Sequence, residues 1–239
     1  MSINDKNKKK KPDSKIVNMY EKIPKHLLVK AENPNYDLHK LKLPFRAVVN
    51  APSGSGKTNF VINLIGLFSY GKGTFADITI LTRNSDEPLY NFLKEKDDRI
   101  VIKEGLVHLP PLDKFDKDEN HLVIFDDLVL TKDQSRIEQY YIRARKLNVS
   151  VMYLSQSYFR IPKVIRLNCN YMIILKLSGS KRDLNAILGE FGMGLEREEL
   201  LALYDYATAE KFSPLVIDAD ADPADRFRKG LTEIIAIDK

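Results

Sequence analysis

The strongest constraint on how this chain can fold is the stretch Val48 to Phe60, VVNAPSGSGKTNF. It reads as the end of an apolar strand, a loop of small residues and the start of an apolar helix. A loop that wraps a triphosphate must turn sharply and aim successive backbone N–H groups inward, which excludes bulky side chains. Gly54 and Gly56, with Ser53 and Ser55 beside them, meet both conditions. Lys57 then reaches the β- and γ-phosphates and the Thr58 hydroxyl ligates Mg²⁺. A helix beginning near Lys57 sets its positive end against the anion. Ala51 stands where the usual pattern opens with glycine, but a small residue followed by Pro52 still permits the turn out of the strand. Pro52, Ser53, Gly54, Ser55, Gly56, Lys57, Thr58 and Asn59 are therefore the expected ATP-binding loop.

Hydrophobic periodicity extends this unit along the chain. Strands are predicted over Phe45 to Asn50, Ala76 to Thr82, Arg99 to Lys103, His121 to Phe125, Val149 to Leu154, Tyr171 to Leu177 and Pro214 to Ile217. Helices are predicted from Asn59 to Phe68, around Pro88 to Lys94, and over Gln134 to Leu147, Arg182 to Leu188, Glu196 to Ala207 and Arg226 to Ile235. Apolar strands alternating with helices imply an α/β fold whose mostly parallel sheet carries helices on both faces. Ligands of such sheets bind at the carboxyl ends of the strands, and the remaining polar motifs fall there.

HLVIFDD, His121 to Asp127, is the first of these. An apolar strand that ends in acids suits a nucleotide site: Asp126 holds Mg²⁺ through water, and Asp127 orients or deprotonates the attacking water. Alone, two acids after a strand are equally a turn; the upstream GSGKT gives the pair its meaning. A strand-like segment between the two motifs predicts that their strands are not adjacent, the additional-strand order of P-loop ATPases. At the end of the next strand, Ser155-Gln156 places an amide that can sense the γ-phosphate or the attacking water. A Ser-Gln turn by itself is uninformative, and its place one strand after the acids is what singles it out.

Charge is unevenly distributed. Of the net +5, residues 1–30 contribute nine Lys/Arg against three Asp/Glu, a net of +6, leaving −1 for the other 209 residues. KNKKKKPDSK reads as a disordered basic arm over residues 1–15, either a nucleic-acid contact or a solubilising or localising tail. An N-terminal extension follows over 16–43, and a P-loop ATPase domain over 44–239. Residues 136–166 carry seven Lys/Arg and one acid, Glu138, interleaved with Tyr140, Tyr141, Tyr153, Tyr158 and Phe159. They form either a surface for a phosphate backbone or a neighbour's nucleotide, or a solvated helix face over core tyrosines.

The single cysteine, Cys169, excludes an internal disulfide and points to a reducing, intracellular compartment. No apolar run is long enough for a membrane span, and no hydrophobic segment follows the lysine-rich start, so secretion is not expected. The four histidines and Cys169 lack metal-ligand spacing, so no zinc site is predicted.

APSGSGKTNF, HLVIFDDL and IRARKLNVSVMYLSQSYFRIPKVIRLNCNYMIILKL together resemble the genome-packaging ATPases of poxviruses, other large DNA viruses and virophages, in the FtsK–HerA superfamily. The resemblance runs over Pro44 to Leu188. It implies a RecA/FtsK–HerA-like strand order and an ATP-driven motor that moves double-stranded DNA into a viral capsid. It further implies a homo-oligomeric ring, hexameric or pentameric, and a capsid or portal-vertex partner. The setting it implies is the intracellular assembly site of the host cell, with association to the virion. Carried over, Gly54, Gly56, Lys57 and Thr58 form the Walker A loop, Asp126 and Asp127 the Walker B acids, and Gln156 the sensor. A trans-acting arginine is to be sought among Arg143, Arg145 and Arg166. The competing readings are a helicase-like P-loop ATPase, a non-hydrolysing DNA-binding structural protein, and a nucleoside kinase. The last lacks an Arg-rich lid or acceptor base around Asp126.

Overall fold

The computed structural model describes residues 16–24, 32–131, 133–177 and 181–236. The basic arm expected over residues 1–15 lies outside the described residues. Two compact units divide the chain, Met1–Lys30 and Ala31–Lys239. In the first, the described residues include a 3₁₀ turn, Met19–Lys22, preceded by Asn18, whose amide donates to Glu21 Oε1 at 3.0 Å.

The second unit is built on a sheet whose strands are β1 (Arg46–Asn50), β2 (Asp77–Thr82), β3 (Ile100–Glu104), β4 (His121–Asp126), β5 (Val149–Ser155), β6 (Tyr171–Ile174), β7 (Leu215–Asp218), β8 (Phe227–Lys229) and β9 (Glu233–Ile234). Their spatial order is β3-β2-β4-β5-β1-β6-β7-β8-β9. From β3 through β6 every pairing is parallel, and the last three are antiparallel. Strand β5 separates the strand of the small-residue loop from the strand of the two acids, as expected.

The parallel strands inside the edge strand β3 are apolar on both sides because helices cover both faces. On one face α2 (Lys57–Phe68) and α3 (Pro88–Lys94) pack over Ala47, Val49, Ile80 and Ile124, and α1 (Tyr36–His39) sets His39 against Phe68 of α2. On the other, α4 (Ser135–Arg143), α5 (Lys163–Asn168), α6 (Lys181–Phe191) and α7 (Arg197–Ala207) cover Val48, Val123, Val151 and Tyr153. The alternation of Val48 and Val49 between two cores is the period-two pattern of a doubly buried strand. It holds β1 in register, so the loop after Asn50 leaves the sheet at a fixed point.

One expectation is corrected, and one left open between two readings is decided for the tyrosines. Arg226 to Ile235, expected as a closing helix, is the β8–β9 hairpin. Gly230, at φ +62, turns the chain there, and Arg228 and Lys229 pair with Ile234 and Glu233. The tyrosines of residues 136–166 are core: Tyr140, Tyr141, Tyr153 and Tyr158 are all buried, and only Phe159 of the interleaved aromatics is exposed. Arg136 stays exposed, its guanidinium donating to Leu106 O at 2.7 Å and Leu109 O at 2.8 Å.

Candidate nucleotide site

The loop after β1 has the geometry its glycines were expected to allow. Gly54 lies at φ +73 and Gly56 at φ +93, in the left-handed region where a side chain brings strain. Gly56 forms the N-terminal boundary of α2, so the first turn of the helix opens onto the loop. The Lys57 amine, almost wholly buried, donates back to Ala51 O at 3.0 Å and Pro52 O at 3.3 Å. Burial lowers its pKa, against the pull of the Asp126, Asp127 and Glu87 carboxylates. The loop therefore closes on its own cation, and phosphate oxygens can take the place of these two carbonyls.

Asp126 ends β4 and is 7% exposed. Burial raises its carboxyl above the ordinary range, although the Tyr90 hydroxyl donates to Oδ2 at 2.7 Å and the Thr82 hydroxyl at 3.3 Å. Both hydroxyls come from the neighbouring β2–α3 unit, where Thr82 is the register partner of Asp126. Glu87, in the same unit, accepts from the Thr58 hydroxyl at the long distance of 3.5 Å. Its carboxyl is raised by burial first and by Asp126 second. Asp127 follows Asp126 at φ +52, which turns the chain sharply out of the sheet.

Lys57, Thr58, Asp126, Asp127 and Gln156 line one cavity of about 470 Å³, together with Ser53, Gly54, Gly56 and Asn59. Three adjacent strands bring them together: β1 supplies the loop, β4 the acids, and β5, between them, the exposed amide of Gln156. Pro52 and Ser55 stand behind the lining; the Ser55 hydroxyl donates to Pro52 O at 2.6 Å and pins the turn. The Thr58 hydroxyl and the Asp126 carboxylate are hard oxygen donors at one edge of the cavity, a set that fits Mg²⁺. An ion that completes its shell with phosphate and water oxygens needs no further protein cage. Among the described residues no cluster of three His, Cys, Asp or Glu stands ready to hold a metal.

The arginines lie elsewhere. Arg143 ends α4 and Arg145 lies in the 3₁₀ turn leading into β5 (Ala144–Leu147), both exposed. They sit at the amino end of β5, while the cavity is at its carboxyl end, about 20 Å away at the rise of a strand. Arg166 is paired with Glu190, and its guanidinium lies 4.8 Å from the Tyr158 ring centroid.

Sequence reasoning passed over Thr82, Glu87, Tyr90 and Phe212, all of which border the cavity or its buried acid. Thr82 had a usable signal, a polar residue closing an apolar strand. Tyr90 and Phe212 had none, because only tertiary packing brings them to the site.

Residues 34–217 match the family described as Poxvirus A32 protein. No curated protein matches the chain by sequence. Among solved structures, the chain is similar to the genome packaging NTPase B204 from Sulfolobus turreted icosahedral virus 2 in complex with AMP. That match has a TM-score of 0.53 at 12% identity and covers 75% of this chain and 95% of that one. It is also similar to EssC (ATPases 2 and 3) from Geobacillus thermodenitrificans, with a TM-score of 0.54 at 10% identity, covering 82% of this chain and 40% of that one. For the type VII secretion ATPase EccC from Thermomonospora curvata, the TM-score is 0.53 at 12% identity, with coverage of 81% and 26%. At these identities the likeness is one of fold.

Proposed function

Because the chain belongs to the Poxvirus A32 protein family and is a P-loop ATPase, we propose that it is the motor that drives double-stranded DNA into a viral capsid. The observation that carries this reading is the convergence of GSGKT, Asp126-Asp127 and Gln156 on one cavity through three adjacent strands. A nucleotide-binding structural protein needs only the loop. Acids and an amide around the γ-phosphate position are what hydrolysis needs.

In this reading the Lys57 amine moves from the Ala51 and Pro52 carbonyls to the β- and γ-phosphate oxygens. Thr58 and Asp126 would hold Mg²⁺, which when bound supplies positive charge at the phosphates. Asp127 accepts the proton of the attacking water. Gln156 contacts that water or the γ-phosphate and transmits the change along β5. Work on DNA requires several copies acting in turn, so the functional form is a homo-oligomeric ring. DNA is gripped through its phosphates by exposed cations. The ring sits at a vertex of the capsid, at the assembly site within the host cell, and remains associated with the virion. No helix among the described residues is long and apolar enough to cross a membrane.

Steady-state ATP hydrolysis measured with and without double-stranded DNA, across a salt series, tests this. The expected result is stimulation by DNA that falls steeply with salt and depends little on sequence. Hydrolysis indifferent to DNA at low salt would overturn the motor reading, and strand separation would move it to a helicase.

A further inference from the structure

We infer that Phe212 is a stacking platform for the base of the nucleotide, an inference that rests on the phosphate loop binding ATP as proposed above. Phe212 lies in the loop between α7 and β7, more than 150 residues from the phosphate loop in sequence, yet it lines the same cavity. Its ring rests against Gly56: a Cβ built there would stand 2.3 Å from Phe212 Cδ1 and 2.5 Å from Cε1. The absent side chain of Gly56 thus serves two ends, the turn of the loop and the seating of this ring.

Two further observations separate Phe212 from an ordinary surface aromatic. Its backbone lies at φ +68, a conformation that bulky residues avoid and that persists only where the surroundings impose it. Phe212 is also 41% exposed and borders the cavity that Lys57, Asp126 and Gln156 line. A large apolar surface held in a strained backbone, half open to water at a nucleotide site, gains by being covered with a flat aromatic ligand.

The loop is held from the β8–β9 side. Lys229 Nζ pairs with Glu210 Oε1 at 2.7 Å, the Gly230 N–H donates to Pro214 O at 2.9 Å, and Tyr206 Oη donates to Glu233 Oε1 at 2.6 Å. These contacts bracket Phe212 on both sides in sequence, so the ring is placed before any nucleotide arrives. Lys211 adds a cation 4.8 Å from the ring centroid. A stacking surface reads the π-face of a base and not its edge, so ATP and GTP should be treated alike.

The chain contains no tryptophan, so Phe212→Trp makes a single-site fluorescent reporter. With Mg²⁺ present, ATP and GTP should change its emission, while inorganic tripolyphosphate should bind and leave the emission nearly unchanged. In calorimetry, Phe212→Ala should weaken ATP roughly tenfold, within the range measured for base–aromatic stacking, and leave tripolyphosphate affinity within about twofold. Equal weakening of both ligands, or of neither, overturns the inference, as does an emission change with tripolyphosphate equal to that with ATP. Lys57→Ala separates the two readings, since it should abolish binding of both ligands. If neither ligand binds the parent protein, the phosphate-site assignment fails, and the base platform fails with it.

Discussion

At the scale of single residues, the site is arranged around one buried carboxylate. Asp126 is deprived of water, and its carboxyl is raised, because the strand end that aims it at the cavity also covers it. A carboxyl raised in the folded state binds its proton more tightly than in the unfolded chain. Stability from this group is therefore present at acid pH and lost as pH rises through the raised value. Once ionised, the buried group is a cost to the ligand-free protein. Asp126→Asn keeps an oxygen for the Tyr90 and Thr82 hydroxyls while removing the charge. The expected outcome is a thermal midpoint raised by about 2–4 °C without nucleotide, corresponding to about 1 kcal/mol, with hydrolysis lost. A lowered midpoint would show the carboxylate to be well compensated.

Lys57 and Asp127 call for different outcomes. Lys57→Ala removes the cation that faces the phosphates and should abolish both binding and turnover. Asp127→Asn leaves Lys57, Thr58 and Asp126 in place, so the protein should retain ATP and lose hydrolysis. Equilibrium binding and steady-state turnover, measured on both variants, check the distinction. Equal loss of ATP binding would make Asp127 a metal ligand or a structural acid.

At the scale of elements, legibility followed the range of the interactions that shape each one. GSGKT and HLVIFDD specify their own backbone, through glycines that accept positive φ and through an uninterrupted apolar run, so strand, loop and acids could be read locally. The sequence 226–235 could not. Its helical appearance depends on Leu231, Ile234 and Ile235, but Gly230 within it costs about 1 kcal/mol in a helix, and the edge at β7 offers pairing instead. Tertiary context also decided the tyrosines: Tyr141 Oη donates to Ala47 O at 2.5 Å across 94 positions, which no spacing rule reveals.

The segment before β1 is an element whose stability should titrate. His39 of α1 is fully buried against Phe68, with Nδ1 accepting the Leu41 N–H at 3.0 Å. Burial, then the nearby Arg228 guanidinium, push its pKa down to about 4. A depressed histidine contributes stability above its unfolded value near 6.5, and that contribution is lost as pH falls from there toward 4. The amount at stake is roughly 3 kcal/mol. His121 has the opposite sign: although burial opposes its charge, Asp77 at 2.6 Å and the Asp116 carbonyl raise it. The parent curve therefore mixes the two groups, and the difference between parent and His39→Gln isolates the first. Urea unfolding at pH 7 and pH 5 should show a smaller acid loss in the variant. An identical loss in both proteins would place the acid sensitivity elsewhere.

At the scale of the whole molecule, the proposed ring raises the question of which residue would complete a neighbouring subunit's site. An arginine that acts in trans must lie away from its own phosphate loop, project into solvent and remain free of a strong partner. Arg166 fails the last condition, since Glu190 and Tyr158 hold its guanidinium. Arg143 and Arg145 are exposed at the amino end of β5, at the opposite end from the cavity, and neither forms a salt bridge among the described residues. Arg145 also lies near enough to Arg46 to lower its pKa, after burial has done so first. A neighbour's phosphates would offset that repulsion. We therefore propose Arg143 or Arg145 as the finger and Arg166 as an internal brace. Removing a finger costs about 10³–10⁵ in turnover and leaves nucleotide affinity nearly intact, so the Arg143→Ala,Arg145→Ala protein should bind ATP and be inactive alone. Mixed with Lys57→Ala protein, it should form some interfaces that pair an intact loop with intact arginines, and partial hydrolysis should return. Mixed rings that assemble and stay inactive would instead make the two arginines DNA contacts. Arg166→Ala should behave differently, losing stability through Glu190 before it loses turnover, and thermal unfolding beside the turnover assay separates the brace from the finger.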